Sequence, residues 1–153
     1  MKQIPLTRGL FALVDDQDYP FLSQFNWFAW VSKNGRFYAG RGRAPVVWMH
    51  RVLLPGVAEV DHKNTDSLDN QRFNLRPATR GQNCANARVR KDSKSGFKGV
   101  TWNPDQGAWR VRICVDYQIH HLGYFSDPAK AARVYDAEAL KQFGEFACVN
   151  FPK

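Results

Sequence analysis

The 153 residues carry 22 Lys and Arg against 14 Asp and Glu, a net charge of +8, with 44% hydrophobic and 14% aromatic residues. That composition excludes a disordered chain and suits one ordinary domain or two small ones, while the positive excess favours a polyanion: DNA, RNA or an anionic membrane surface. No apolar run approaches the roughly 18–20 residues of a spanning helix, and the short apolar patch near the N-terminus stops at Asp15 and Asp16 without a small-residue cleavage site. A cytosolic protein is expected. Cys84, Cys114 and Cys148 are odd in number and lack CxxC spacing, so buried free thiols are expected rather than disulfides or a zinc knuckle.

Residues 1–45 read as strands and turns. Phe11 to Val14 is an apolar run stopped by Asp15, Asp16 and Asp18. Trp27 to Val31 and Arg36 to Ala39 flank Ser32-Lys-Asn-Gly35, and Asn-Gly between β-rich runs predicts a hairpin whose aromatics pack in a core, with nucleic-acid stacking by Trp27 or Trp30 as the alternative. An apolar run over Val46 to Leu54 is followed by the Pro55-Gly56 turn and by Glu59-Val-Asp-His62. Residues 63–78 are rich in Asn and Asp without a period and read as a loop. Thr79 and Gln82 fit a capping box, predicting a helix through Asn83 and Asn86 to about residue 89.

A basic linker follows, with Arg88, Arg90, Lys91, Lys94 and Lys98 among Ser93, Ser95 and Gly96. Three strand-like runs come next: Gly99 to Trp102, Trp109 to Val115 and Ile119 to Phe125. Asp127 as N-cap and Pro128 open a helix that Gly144 closes, and Ala131, Ala132, Tyr135, Ala139 and Phe143 recur at helical spacing along it. The expected fold class is α+β: a β-rich N-terminal segment, a strand-and-helix unit, then a three-stranded antiparallel sheet packed on one helix.

Asp61 to Arg76 is dense in groups for metal binding and proton transfer. Phosphodiester hydrolysis needs an activated water, charge neutralisation at the phosphate and help for the leaving oxygen. A histidine near neutral pKa supplies the first, and a hard divalent ion on oxygen ligands supplies the others. An isolated Asp-His pair is ordinarily a surface ion pair. An apolar strand, Asp61-His62, an Asn-rich loop, Asn74-Leu-Arg76 and a capped helix bearing Asn83 form a less ordinary set.

Met49-His-Arg51, Asp61-His62, Leu68-Asp-Asn70, Asn74-Leu-Arg76 and Thr79 to Asn83 together resemble the HNH homing endonucleases widespread in bacteriophage genomes. The resemblance covers about residues 45–90 and implies a ββα-metal unit. It makes His62 the general base and Asp61 and Asn83 the ligands of one Mg²⁺ or Mn²⁺. Asn74 would orient His62 or brace the loop, and His50 would support the site, contact phosphate or be structural. Asp69, Asn70, Arg72 and Arg76 would tie the loop together, with Arg72 and Arg76 also candidate phosphate contacts. Gln71 stands where such sequences commonly carry Arg, which removes one expected contact.

In Trp109-Arg-Val-Arg-Ile-Cys114, alternation turns Val111 and Ile113 to the helix and Arg110 and Arg112 to the open face. Ser95-Gly-Phe-Lys-Gly-Val100, Leu122-Gly-Tyr-Phe125, Ala129-Lys-Ala-Ala132 and Asn150-Phe-Pro152 resemble an AP2/ERF DNA-binding domain, whose sheet docks in the major groove. That resemblance supports Lys98, Thr101, Arg110, Arg112 and His121 as DNA contacts, joined by Arg88, Arg90 and Lys91 of the basic linker. His121 stands where Trp is usual, so the target sequence is not transferable.

The sequence therefore predicts a metal-dependent DNA endonuclease with an HNH domain over 1–90 and an AP2-like DNA-binding domain over 91–153. Its expected partner is double-stranded DNA, with no membrane and no obligatory protein partner. It would act as a monomer or weak dimer in the cytoplasm of a bacterial host, as a phage-encoded type. The alternatives are a non-catalytic DNA-binding regulator on a vestigial HNH scaffold and, behind it, an RNA-binding module.

Overall fold

A computed structural model describes residues 1–152. The fold is α+β, and the chain divides into Met1–Thr79 and Arg80–Lys153. This division and the expected one at residues 90/91 differ in the placement of one short helix, discussed below.

In the first unit, β1 (Lys2–Pro5) pairs antiparallel with β2 (Phe11–Val14). Alternation turns Ala12 and Val14 inward, where both are fully buried. A short helix, α1 (Tyr19–Leu22), follows the acidic turn. The predicted hairpin forms between β3 (Phe28–Val31) and β4 (Phe37–Arg41). Its turn closes through Ser32 N–H to Arg36 C=O at 2.8 Å and Gly35 N–H to Ser32 C=O at 2.9 Å. Gly35 sits at φ 75°, the left-handed conformation for which the Asn-Gly pair was the signal.

A two-residue strand, β5 (Val47–Trp48), extends this sheet and leads into α2 (Met49–Leu53). His50 is therefore helical, where a buried strand was one expectation. α2 buries Met49 and Leu53 at helical spacing against Ile4, Leu22 and Trp27. Then β6 (Glu59–His62) pairs antiparallel with β7 (Leu75–Ala78). The loop expected over 63–78 thus ends four residues early. Pro77 lies within β7, and a two-stranded sheet leaves that strand an open edge, which tolerates a residue without an N–H.

The second unit begins with α3 (Arg80–Ala85), which starts where the Thr79 signal placed it and ends before the expected residue 89. Its last residue is tied to the C-terminal segment, Ala85 C=O accepting from Cys148 N–H at 3.1 Å. Strands β8 (Val100–Asn103), β9 (Ala108–Val115) and β10 (Gln118–Phe125) form an antiparallel sheet in the order β10-β9-β8. α4 (Pro128–Phe143) covers one face, opened by Asp127, whose carboxylate accepts from Ala129 N–H at 2.8 Å. Val100, Val111 and Ile113 meet Ala131, Ala132, Tyr135 and Ala139. Each large side chain buried there contributes about 1.5–3 kcal/mol, and the alanines let the helix lie close. Gly99 shows how close: at φ 77°, a Cβ there would fall 2.0 Å from the Tyr135 ring.

The cysteines depart from expectation. Cys84 and Cys114 are exposed and Cys148 is half-buried, all as free thiols. Cys114 follows the outward parity of its strand, and strand parity outranks the usual burial of cysteine.

Candidate active site

Strand β6 ends on the Asp-His pair. Its register sets Asp61 opposite Arg76 and His62 opposite Leu75. Asp61 is only 3% exposed and Arg76 only 7%. The guanidinium donates to the same carboxylate oxygen, Oδ2 of Asp61, from Nε at 2.9 Å and Nη2 at 2.8 Å. A buried charge is tolerated only when paired in this way. Arg76, expected at phosphate, therefore holds Asp61.

The loop between the strands has few apolar residues and is built from hydrogen bonds. Asn74, 1% exposed, clamps its two arms. Its Oδ1 accepts from Asn64 N–H at 2.9 Å, and its Nδ2 donates to Asp69 C=O at 2.7 Å. Of the two roles expected for Asn74, this geometry is that of the brace. Asn64 Nδ2 donates to Asp69 Oδ2 at 2.7 Å, and Ser67 Oγ donates to Phe37 C=O at 2.6 Å.

The acidic cluster that stops β2 anchors the far side of the loop. Asp15 accepts from the Arg72 backbone N–H at 2.7 Å and from Gln71 Nε2 at 3.2 Å. Asp18 takes the Arg72 guanidinium at 2.8 and 2.7 Å. Residues 68–70 also bond β2 directly, through Leu13 N–H to Leu68 C=O and Asn70 N–H to Leu13 C=O. Two points follow. Arg72 is committed to an ion pair rather than left for phosphate, and Gln71 has a partner where a phosphate-binding Arg was the common alternative. The N-terminal segment buttresses the loop, a role its sequence did not disclose.

His62 is 7% exposed. Its ring lies 5.4 Å from that of His50 and 6.4 Å from Tyr38, both edge-on. Burial lowers its pKa, opposed by polar contact with Asn70 and by the charges of Asp61, Asp66 and Asp69. Burial, then the neighbouring His62 and Arg51, lowers His50 to about 3. Both imidazoles are neutral at neutral pH, and a neutral imidazole has the lone pair a general base requires. His50 and His62, twelve positions apart in the chain, are thus brought together.

Among the described residues, no group of three or more His, Cys, Asp or Glu side chains is arranged to hold a metal. The donors expected for one are the carboxylate of Asp61, buried on β6 of the first unit, and the amide of Asn83, half-buried on α3 of the second. Such oxygens suit Mg²⁺ or Mn²⁺ in kind. Because Arg76 binds Oδ2 of Asp61, an ion would share that carboxylate with the guanidinium or displace it.

In the second unit the sheet face opposite α4 gathers another set. Thr101 pairs with Arg110, and Arg110 in turn with Tyr124; Arg112 pairs with His121. A register shift between His121 and Gly123 reverses the parity of β10, so His121 and Tyr124 share this face with ring centroids 4.6 Å apart. Asn103 Nδ2 reaches the Tyr124 hydroxyl at 3.3 Å. Four expected contacts, Thr101, Arg110, Arg112 and His121, are together, and Tyr124 and Asn103 join them unforeseen. Gly123 was the available signal, since an isolated strand glycine marks a bulge. Lys98 is drawn away: its ammonium donates to Ala85 C=O and to Cys148 C=O at 3.4 Å. Arg88, Arg90 and Lys91 are exposed in the segment between α3 and β8.

These features define an α+β chain with an Asp-His strand end braced by a polar loop and, separately, a basic three-stranded sheet. No family model matches the chain. It is 27% identical over 157 aligned residues, 94% of its length and 76% of the relative's, to a protein of Acanthamoeba polyphaga mimivirus named as an uncharacterized HNH endonuclease. It is 28% identical over 88 residues, 57% of its length and 73% of the relative's, to a protein of Escherichia phage T7 named Protein 3.8. Over 58 residues, 38% of its length and 16% of the relative's, it is 41% identical to an AP2/ERF and B3 domain-containing protein of Oryza sativa subsp. japonica. The chain is thus distantly similar, along most of its length, to a viral protein bearing the HNH endonuclease name. No helix among the described residues is long and apolar enough to cross a membrane.

Proposed function

We propose that this protein is a metal-dependent DNA endonuclease of the HNH type, targeted by its C-terminal sheet. The observation that carries the reading is His62: a buried imidazole, its pKa lowered by burial, at the end of β6 after an Asp whose carboxylate is fixed by a guanidinium, and beside a loop clamped by Asn74. His62 takes the proton of the attacking water. Asp61 and Asn83 are the residues that would hold one Mg²⁺ or Mn²⁺. When bound, the ion supplies charge neutralisation at the scissile phosphate and stabilises the leaving oxygen. His50 excludes water behind His62 and fixes its ring. Asn74 and the anchors Asp15 and Asp18 keep the loop in place.

On the second sheet, Arg110 and Arg112 carry the charge and hydrogen-bonding reach to read guanine edges in a major groove, with Thr101, His121, Tyr124 and Asn103 beside them. Exposed Arg88, Arg90 and Lys91 contact phosphate.

One observation favours the non-catalytic regulator: Arg76 already neutralises Asp61, as a retained scaffold would require. Supercoiled plasmid with Mg²⁺ or Mn²⁺ decides between them. The nuclease gives metal-dependent nicking, and His62→Ala lowers its rate by a factor of about 10²–10⁴, the range for loss of a general base. Tight, salt-sensitive binding with no cleavage of DNA containing its site, in any of several metals, sinks the nuclease reading.

A further inference from the structure

The first unit also holds a cleft that shares only His50 with the proposed chemistry. It measures about 290 Å³ and is lined by Trp30, Ser32, Tyr38, Trp48, His50 and Arg51. Its walls are mostly flat rings in mutual contact. Trp30 and Trp48 have centroids 5.2 Å apart, Trp30 and Tyr38 6.2 Å, and Tyr38 and Trp48 6.2 Å. The series continues inward through His50, whose ring is parallel to that of Trp48 to within 8°, and ends at His62. At the outer end Trp30 is 42% exposed, so its ring is open to a ligand from solvent.

The strand pattern explains why these rings are not core. Trp30 and Tyr38 are register partners across the β3–β4 hairpin. The parity that buries Ala29 and Ala39 turns Trp30 and Tyr38 to the opposite face. Trp48, opposite Gly40 on the next strand, packs its ring beside theirs. Arg51 adds a cation at the rim, its Nη2 donating to Ala58 C=O at 3.3 Å. Flat aromatic walls, a neighbouring cation and a volume just under the roughly 300 Å³ where small-ligand pockets begin suit one planar heterocycle joined to an anionic backbone. They do not suit a base pair, and they offer no row of apolar pits for a peptide side chain.

We propose that this cleft binds one unpaired nucleobase of a DNA strand by ring stacking, beside His50, whose ring meets that of His62. The identity of the strand as substrate rests on the nuclease reading; the stacking does not. An unpaired base held there fixes the register of its strand relative to the histidine without reading sequence, because every base has a stacking face.

The test uses the full-length protein in EDTA, so that nothing is cut. The probes are a fluorescein-labelled single-stranded thymidine oligonucleotide of about a dozen residues, within the range of known single-strand sites, and an abasic oligomer of equal length. Stacking predicts that the wild type binds the thymidine strand more tightly than the abasic one. Trp30→Ala should lose affinity for the thymidine strand by about 5- to 150-fold, and Trp30→Phe should keep most of it. Binding of the abasic oligomer should be the same in all three proteins. Equal thymidine-strand affinity in wild type and Trp30→Ala, with an unchanged circular dichroism spectrum, overturns the proposal. So does a loss in Trp30→Phe as large as in Trp30→Ala, or equal binding of base-bearing and abasic strands. Plasmid nicking is scored separately. A wild type that binds through Trp30 but never nicks overturns the nuclease reading and upholds the cleft, whereas nicking without Trp30-dependent binding does the reverse.

Discussion

The two units solve opposite problems. In Met1–Thr79 the candidate catalytic residues are buried, and polar partners hold them: Asp61 by Arg76, the loop arms by Asn74, the loop's far side by Asp15 and Asp18. In Arg80–Lys153 the candidate DNA-binding face is open, and the apolar face beneath it does the holding, with Val111 and Ile113 set against the alanines of α4. A group meant to move protons in a low-dielectric setting needs every buried polar neighbour satisfied. A group meant to meet DNA needs only correct parity on a stable sheet. The first arrangement should fail when a partner is removed; the second, when the packing is disturbed.

The largest expected effect tests the first half of that contrast. Arg76→Met leaves the Asp61 carboxylate buried without its guanidinium and should cost about 3–5 kcal/mol, read as a lower urea midpoint for the tryptophans of the first unit. If Mg²⁺ or Mn²⁺ restores part of that loss in the variant, the ion has taken the place of the guanidinium at Asp61. An unchanged midpoint would break the contrast.

Next comes the packing of the second unit. Gly99→Ala puts a methyl 2.0 Å from the Tyr135 ring at a left-handed φ of 77°. Overpacking and backbone strain should together cost about 3 kcal/mol. The loss should appear in amide exchange of β8, β9 and α4, and protection in those elements equal to wild type would refute it.

A smaller effect concerns acid. The unfolded His50 takes up a proton near 6.5, whereas the folded one resists to about 3. Between those values the unfolded state binds more protons, so stability is full above about pH 6.5 and falls as the pH drops toward 3. His50→Phe should flatten that slope in a thermal series across the window; a slope identical to wild type assigns the acid sensitivity elsewhere. The smallest effect is Asp127→Ala, which removes the N-cap of α4. It should cost about 1 kcal/mol, or about 2–4 °C in Tm for a chain of this size.

How much of this was legible in the sequence differs between the units for the same reason. Period-2 alternation and helix caps are local, and they placed β8, β9, β10 and α4 within a residue or so, with Arg110 and Arg112 on the open face. Tyr124 was missed because the shift after His121 inverts parity partway along β10, and a bulge is settled by pairing with β9 rather than by the residues of β10. Lys98 was misplaced because it precedes the strand and reaches carbonyls distant in the chain. In the first unit, Asp61, His62 and Asn74 were recognisable as a motif, but not their partners. Arg72 and Arg76 were expected to tie the loop together or to contact phosphate, and only the first holds, because a lone Arg carries no mark of the carboxylate it will meet.

The sequence alone therefore determined the α+β class, the Asp-His strand end and the basic open sheet, since each follows from neighbours a few residues apart. Tertiary structure decided which cations stay available to a ligand. It bound Arg76 to Asp61 and Arg72 to Asp18, set His50 against His62, and gathered Trp30, Tyr38 and Trp48 around a cleft. Those contacts join residues far apart in the chain, and a charge's partner is chosen by distance in space, across which alternation and capping carry no information.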